Sequence, residues 1–290
     1  MTSARTWSSD RAGLTGFLFF LAVAVFPVAG SLVYALLYTT GLTGLLSEGF
    51  TLSHWATVLS GGELWVSLAL SAGVAFASCL IAATGGMAIA LALRPHLERG
   101  PLSYAIYLPL AMPFVVGAFV GFETLSGAGM ISRLAYSLGL TQGIAGFPSL
   151  TNDALYLGVI ATHALLALPF LAVVFAQLYE SESIDAYAAL SRSLGASGAQ
   201  TLFRVTLPML LRRARPNLVL LFIVLLGSYE IPLLLGRQSP QMISVLTVRK
   251  YQRFDLLQKP EAFVIAIVYT VAILLLLVTA FRRNHPGERA

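Results

Sequence analysis

Six long apolar runs, separated by polar segments, dominate the pattern of hydrophobic and polar positions along the chain. Each run has the roughly 20 residues that an α-helix needs to cross about 30 Å of hydrocarbon. An unpaired backbone group in lipid costs several kcal/mol, and the runs lack the alternation of barrel strands, so we expect helices. The pattern predicts an all-α membrane protein with about six transmembrane helices in one domain over residues 1–290. The spans are predicted near residues 13–38, 64–93, 103–125, 153–177, 216–236 and 261–281.

Composition agrees with a chain whose solvent is lipid. Of the 290 residues, 57% are apolar and 11% are charged, and the mean hydropathy is +0.81. The first apolar run, of about 25 residues, is longer than the apolar part of a cleaved signal peptide, so we interpret it as a retained span. Cys79 has no second cysteine to pair with, which excludes a disulfide within the chain.

Arginine is concentrated in the segments that an even number of spans places on one side of the membrane. Twelve of the eighteen Lys and Arg residues lie there, and the positive-inside rule therefore predicts cytoplasmic N- and C-termini. These residues are Arg5, Arg11, Arg94, Arg99, Arg192, Arg204, Arg212, Arg213, Arg215, Arg282, Arg283 and Arg289. The exception is segment 237–260 on the opposite side, which carries five basic residues and is predicted to fold as an interfacial or pore-mouth helix.

The longest cytoplasmic stretch, residues 178–215, is too polar to span the membrane and has the signals of two short helices. Ser183 can cap the first helix, with Asp185 in its opening turn. Gly195 can then end that helix in a left-handed conformation, which glycine adopts without steric cost. The first helix is therefore predicted to end at a sharp turn.

A second helix is predicted directly after that turn. Ser197 and Gln200 fit the S-x-x-Q capping box that begins a helix. Pro208 is expected to end or kink this helix, because proline lacks the backbone N–H. The two short helices would form a compact helix–turn–helix facing the cytosol.

This stretch resembles the cytoplasmic loop signature of binding-protein-dependent ABC importer permeases. In that signature a Gly is followed ten, twelve and thirteen residues later by an aliphatic residue, a Leu and a Pro, as Gly195 is here by Val205, Leu207 and Pro208. The resemblance implies that the short helices dock into a groove of the nucleotide-binding subunit, with Gly195 as their pivot. The residues to which it assigns this ATPase-coupling role are Asp185, Ala188, Ala189, Gly195, Ala196, Ser197, Val205, Leu207 and Pro208.

One position departs from the family pattern. The family usually has an acidic residue six positions before the Gly, followed by two alanines, whereas this chain has Ala189, Leu190 and Ser191. The nearest acidic residues, Glu182 and Asp185, lie further back, and the sequence leaves open whether either of them substitutes and which residue makes the polar contact to the ATPase.

The resemblance extends into the spans. LPLAMPFVVGAFVGFETLSGAGMISRL, HALLALPFLAVVF and GSYEIPLLLG are similar to the polyamine and ferric-iron branch of these permeases. The similarity implies a bacterial inner-membrane permease that imports such a solute. It also implies three partners: cytoplasmic ATPase subunits that bind ATP and magnesium, a second permease subunit (a copy or a paralogue), and an extracytoplasmic solute-binding protein. No nucleic acid is expected, because membrane topology accounts for the basic residues.

The chain itself is not expected to be an enzyme. Neither Lys250 nor Lys259 follows the glycine-rich loop that binds phosphates, so ATP is assigned to another subunit. Gly195-Ala196-Ser197-Gly198 matches the G-x-S-G of intramembrane serine proteases, but the only later histidine, His285, lies in the polar tail and cannot act as the base. The four histidines also lack the spacing of a metal site.

Four polar residues within or near the spans are candidates for the solute pathway. Glu230 precedes Pro232 in the fifth run, and an ionised group at mid-bilayer costs about 2.5–3.5 kcal/mol, so a water-filled pathway is predicted, with the outer interface as the alternative. Tyr229 adds a hydroxyl beside Glu230. His163 and Glu123 are further candidates, with an interhelical hydrogen bond and a surface position as their respective alternatives.

An ATP-independent secondary transporter or channel is the competing function. Such transporters often contain inverted repeats with paired broken helices, and the sequence shows no internal symmetry of this kind. The importer permease is therefore the favoured prediction.

Overall fold

The regular structure is entirely helical over the residues that the computed structural model describes, which are 6–44, 49–97, 101–142, 146–256 and 258–282. Arg5, Arg99, Arg283 and Arg289, used above to predict the orientation, lie outside these residues. The helices are α1 (Thr6–Phe20), α2 (Phe26–Thr39), α3 (Ser53–Ser60), α4 (Gly62–Leu97), α5 (Pro101–Leu110), α6 (Phe114–Leu125), α7 (Met130–Ser137), α8 (Leu157–Ser181), α9 (Ile184–Ser193), α10 (Gly198–Thr201), α11 (Leu207–Leu226), α12 (Glu230–Leu235), α13 (Ile243–Gln252) and α14 (Gln258–Arg282). Single π-helical turns occupy Leu21–Val25 and Leu202–Thr206.

Five helical segments among the described residues are long and apolar enough to cross a membrane. They are Gly13–Thr39, Gly62–Leu93, Phe114–Ser137, Leu157–Ser181 and Gln258–Arg282. Four of them match predicted spans closely, and the all-α membrane fold is confirmed. The third and fifth predicted spans differ from the structure.

The third predicted span, residues 103–125, is divided by prolines. Helix α5 ends at Leu110, and Pro113, with φ −59° and ψ 144°, precedes the first residue of α6. A proline clashes with a helical conformation of the residue before it and donates no hydrogen bond, so the helix stops rather than bending. The membrane-length segment here is instead Phe114–Ser137.

The fifth predicted span, residues 216–236, is also divided. Helix α11 begins earlier, at Leu207, and ends at Leu226, while the short α12 takes up the chain at Glu230. Three arginines in the first half of α11 keep this helix from being apolar along a membrane length. They are Arg212, Arg213 and Arg215. The break at residues 227–229 places backbone polar groups inside the predicted span.

The chain forms two compact units. The first consists of Met1–Leu64 and Thr247–Val271, and the second consists of Trp65–Leu246 and Ala272–Ala290. In the second unit, fully buried Phe175 of α8, Ile184 of α9 and Leu210 of α11 belong to one apolar cluster. A Cβ added to Gly86 of α4 would lie 2.9 Å from the backbone nitrogen of Ala172, so glycine permits a close helix contact there. This core anchors the cytoplasmic α9.

In the first unit, an ion-pair cluster contains Lys250, one of the five basic residues of segment 237–260. The predicted helix in that segment is present as α13, and its Lys250 Nζ lies 2.8 Å from Glu261 Oε2 and 3.3 Å from Glu63 Oε2. Burial lowers the pKa of Lys250, but the hydrogen bond and charge of Glu261, together with Glu63, outweigh it and raise the pKa. Lys250 is therefore held as a cation beside Glu261, while segment 237–260 with its five basic residues stays an exception to the positive-inside rule.

Replacing Lys250 with Gln is expected to destabilise the first unit by about 1–3 kcal/mol, because Glu261 (side chain 19% exposed) would lose its partner. Glu63→Gln is the matched control, and since the Glu63 side chain is 60% exposed, its loss should cost about 0–1 kcal/mol. Thermal unfolding of the detergent-solubilised protein measures both. Equal unfolding temperatures for the two variants would contradict a buried role for Lys250.

Candidate functional site

The first short cytoplasmic helix, α9, begins differently from the prediction. Ser183 precedes it but has φ +48°, and its side chain accepts no capping hydrogen bond, so the predicted cap is wrong. Only Glu182 and Ser183 separate α8 from α9, and this tight connection holds Ser183 in the left-handed region, away from the extended backbone that side-chain capping uses. Asp185 does lie in the first turn, as predicted, and is exposed.

The end of α9 confirms that Gly195 ends this helix in a left-handed conformation. Its φ is +87°, its N–H donates to the Arg192 carbonyl (3.0 Å), and the N–H of Ala196 donates to the Ser191 carbonyl (3.1 Å). These two hydrogen bonds define a Schellman motif, in which a left-handed residue closes the helix. No heavy atom lies within 4 Å of a Cβ added to Gly195, so the backbone conformation rather than space requires glycine.

The second helix begins with the predicted capping box. The Gln200 N–H donates to Ser197 Oγ (3.3 Å), and the Ser197 N–H donates to Gln200 Oε1 (2.9 Å). A 2.9 Å hydrogen bond between Ser191 Oγ and Thr201 Oγ1 joins the two short helices. Hydrogen bonds thus fix both sides of the turn.

Pro208 does not end the second helix, contrary to one of the two expectations. Helix α10 continues through the π turn Leu202–Thr206 into α11, which runs to Leu226. Pro208 is the second residue of α11 and lies directly after the π turn, where the regular i→i−4 hydrogen bonding is already interrupted. The second cytoplasmic helix is therefore continuous with the helix that enters the membrane.

Large apolar side chains project from these helices into solvent. Leu194 is 80% exposed, Phe203 67%, Leu190 57% and Tyr187 52%. We call these four residues the apolar stripe. None of them belongs to the predicted site. Tyr187 and Leu190 of α9 and Leu194 directly after it nevertheless have the i, i+3, i+7 spacing of one helical face. Exposed apolar surface of this kind is typical of an interaction site.

The predicted coupling residues divide between the surface and the interior of residues 178–215, which we call the coupling segment. Ala188 is buried and packs inward, while Ala196, Val205 and Leu207 are half-buried. The exposed members of the predicted set are Asp185, Ala189, Gly195, Ser197 and Pro208. Glu182, one of the two acidic candidates, forms a 3.0 Å ion pair with Arg213.

A second group of polar residues lies around the break between α11 and α12. His163 of α8 is fully buried, and its Nε2 lies 2.9 Å from Ser228 Oγ. The Ser244 hydroxyl donates to the Ser228 carbonyl, which the helix break leaves without a helical partner. His163 therefore makes the inter-element hydrogen bond given above as its alternative, while within the described residues its Nδ1 has no partner. We call His163, Ser228 and Ser244 the polar cluster.

The polar cluster adjoins an apolar cavity of about 290 Å³ that His163 lines together with residues of α5, α6, α8 and α11. His163 is six positions after Leu157, where α8 begins, which places it about 9 Å along the helix. Tyr229 and Glu230 follow Ser228 directly and are half-buried. The structure thus brings three of the four predicted pathway residues together in one region.

Glu123 is placed apart from them. It is exposed on α6, which packs against α12. In the described part of the chain no hydrogen bond or ion pair joins Glu123 to the polar cluster. Its predicted pathway role therefore has less structural support than that of Glu230.

A match to a family model establishes the class of this protein. Residues 82–287 match the model of the binding-protein-dependent transport system inner membrane component. The chain belongs to this family, and it is a multi-pass inner-membrane permease subunit of an ABC importer. In transporters of this family the ATPase is a separate subunit.

Particular relatives agree with that assignment. The chain is 30% identical over 203 residues to the putative 2-aminoethylphosphonate transport system permease protein PhnV of Salmonella typhi, covering 69% of this chain and 68% of the relative. The PhnV protein of Salmonella typhimurium is equally similar. The fold resembles a bacterial ABC transporter involved in the import of the acidic polysaccharide alginate, with a TM-score of 0.68, 18% identity and 97% of each chain covered.

Proposed function

We propose that this permease forms half of the solute pathway and is driven by an ATPase that docks on the coupling segment. A second permease subunit, either a copy or a paralogue, supplies the other half, and an extracytoplasmic solute-binding protein delivers the solute. The observation that carries the proposal is the construction of the coupling segment. A Schellman motif and a capping box hold its turn, and the apolar stripe beside the turn is exposed, which suits a docking surface on the side of the membrane predicted to be cytoplasmic.

A rigid connection from the coupling segment to the membrane helices supports the same proposal. Ile184 of α9 is fully buried in the cluster that contains Phe175 of α8 and Leu210 of α11. A packed core transmits displacement rather than absorbing it. Movement of α9 by a docked ATPase would therefore move α8 and α11 as well.

Reconstitution tests the ATP dependence. The permease, with its partner permease and ATPase, is placed in liposomes, and uptake is measured with and without ATP. ATP-dependent uptake that disappears when the ATPase is omitted is the expected result. Uptake by the permease alone, with no nucleotide, would show a secondary transporter or channel and would overturn the proposal.

Asp185 takes the place of the acidic contact that the family has at the position of Ala189. Glu182, the other candidate, already pairs with Arg213 at 3.0 Å, whereas Asp185 is exposed and without an ion pair in the described residues. A free carboxylate beside the apolar stripe suits a basic or hydrogen-bonding residue at the rim of the ATPase groove.

The solute proposed here carries a primary ammonium group. Polyamines, suggested by the resemblance of the spans, carry one, and so does 2-aminoethylphosphonate, the solute in the name of the PhnV relatives. Half-buried Glu230 is a suitable partner, since a carboxylate that is partly shielded from water attracts a cation more strongly than a fully solvated one does. Tyr229 and the unpaired Nδ1 of His163 add hydrogen-bonding groups in the same region.

Glu230→Gln is expected to lower uptake of an ammonium-bearing solute about tenfold or more, because a hydrogen bond to a charged group contributes about 1.5–3 kcal/mol. Glu123→Gln is the matched control on the neighbouring helix and should change uptake much less. Uptake of putrescine, 2-aminoethylphosphonate and ferric citrate is compared in the reconstituted transporter. Uptake of ferric citrate alone, or equal losses in both variants, would contradict the ammonium assignment.

A further inference from the structure

An apolar groove of about 570 Å³ lies in the second unit, and neither the apolar stripe nor the polar cluster lines it. It is bounded by α4, α11 and the last turns of α14, with Phe76, Phe222 and Phe281 among the side chains that line it. Apart from Arg215, no charged residue of the described chain lines this groove. Its chemistry is therefore that of a hydrocarbon site with a single cationic end.

The groove lies in the cytoplasmic half of the membrane under the orientation that the arginines predict. The C-terminal ends of α4 and α14 and the start of α11 all face the cytoplasm in that orientation. Arg215 and Phe222 are seven residues apart on α11, which corresponds to about 10 Å along the helix. The cationic end is thus at headgroup level, and the apolar part extends into the inner leaflet.

The positive charge at the groove mouth is not neutralised within the described chain. Arg213 pairs with Glu182, but its neighbours Arg212 and Arg215 are exposed and have no ion pair among the described residues. Both of them also line a smaller cavity of about 280 Å³ next to the groove. Two adjacent guanidinium groups can donate several hydrogen bonds to one phosphate.

We propose that this groove binds an anionic phospholipid of the inner leaflet. The phosphate contacts Arg215, with Arg212 beside it, and one acyl chain occupies the apolar groove past Cys79 as far as Phe222. The inner leaflet carries anionic lipids, and basic pockets between transmembrane helices on the cytoplasmic side suit their headgroups. A lipid in this position would contact both α11 and α14.

Native mass spectrometry with added lipid tests the headgroup contact. Wild-type protein should retain phosphatidylglycerol in preference to phosphatidylcholine, and Arg215→Gln should reduce retention of phosphatidylglycerol about five- to tenfold. Arg237→Gln is the matched control, because Arg237 is an exposed arginine outside the groove. Unchanged phosphatidylglycerol retention in Arg215→Gln, or equal loss in both variants, would overturn the proposal.

Cys79 provides an independent reporter, since it is the only cysteine in the sequence and lines the groove. Phosphatidylglycerol added to the detergent-solubilised protein should slow alkylation of Cys79 by N-ethylmaleimide, and phosphatidylcholine should slow it much less. The difference should disappear in Arg215→Gln and persist in Arg237→Gln. Protection that rises with protein concentration in lipid-free detergent would instead show that a second copy of the chain occupies the groove, and would overturn the lipid assignment.

Discussion

Gly195→Pro is expected to abolish ATP-driven uptake while leaving the protein inserted in the membrane. Proline holds φ near −65°, whereas Gly195 has φ +87°, and proline also removes the N–H that donates to the Arg192 carbonyl. The Schellman turn would be lost at a local cost of about 3 kcal/mol or more, and the apolar stripe would no longer face one direction. Uptake and ATP hydrolysis in proteoliposomes measure the effect, and ATPase activity should become independent of the solute-binding protein.

Two further variants separate this effect from misfolding. Gly195→Ala costs about 1–2 kcal/mol in the same conformation and should reduce uptake only in part. Gly198→Ala lies three residues away, within α10 and with open space around it, and should behave as wild type. Full uptake by Gly195→Pro in correctly inserted protein would exclude a mechanical role for this turn.

Changing Leu194 and Phe203 together to Ser is expected to weaken association with the ATPase about 10- to 100-fold. The two side chains are 80% and 67% exposed, so most of their apolar area is available for burial by a partner. Complete burial contributes about 1.5–3 kcal/mol for each side chain, and only part of this appears as binding free energy because association has costs of its own. Binding of purified ATPase to permease in nanodiscs measures the change in Kd.

Leu140→Ser is the matched control for that experiment. Leu140 is 74% exposed but lies on the side of the membrane predicted to be extracytoplasmic, so the ATPase affinity should not change. Equal Kd values for the double variant and the wild type would show that the apolar stripe is not the docking surface.

Local signals in the sequence were sufficient to predict the turn between α9 and α10. The left-handed Gly195 and the Ser197–Gln200 capping box each depend on residues within four positions of one another, and both are present. Ser183 has the residue type of a cap, but the short connection from α8 determines its backbone. Local residue preference was overridden there by the geometry of two adjoining helices.

Interactions between distant parts of the chain could not be predicted in the same way. Ser228 is 65 residues from His163, and Ser71 Oγ, which accepts the Ile243 N–H at 2.7 Å, is 172 residues from its partner. The spacing of apolar residues along the sequence gives no information about hydrogen bonds between such distant residues. The breaks in the third and fifth predicted spans were likewise not predicted, because both runs are apolar across the break.

Helix α11 connects the coupling segment directly to the region of Glu230. This helix of 20 residues, about 30 Å long, continues from α10 and the π turn Leu202–Thr206, which follow the Gly195 turn, and it ends shortly before Ser228 and Glu230. A displacement of the N-terminal end of α11 is transmitted along the helix to the residues predicted to contact the solute. A displacement at those residues is transmitted back to the N-terminal end in the same way. Solute binding near Glu230 should therefore change the conformation of the coupling segment. The solute-bound and the solute-free permease would then present different surfaces to the ATPase.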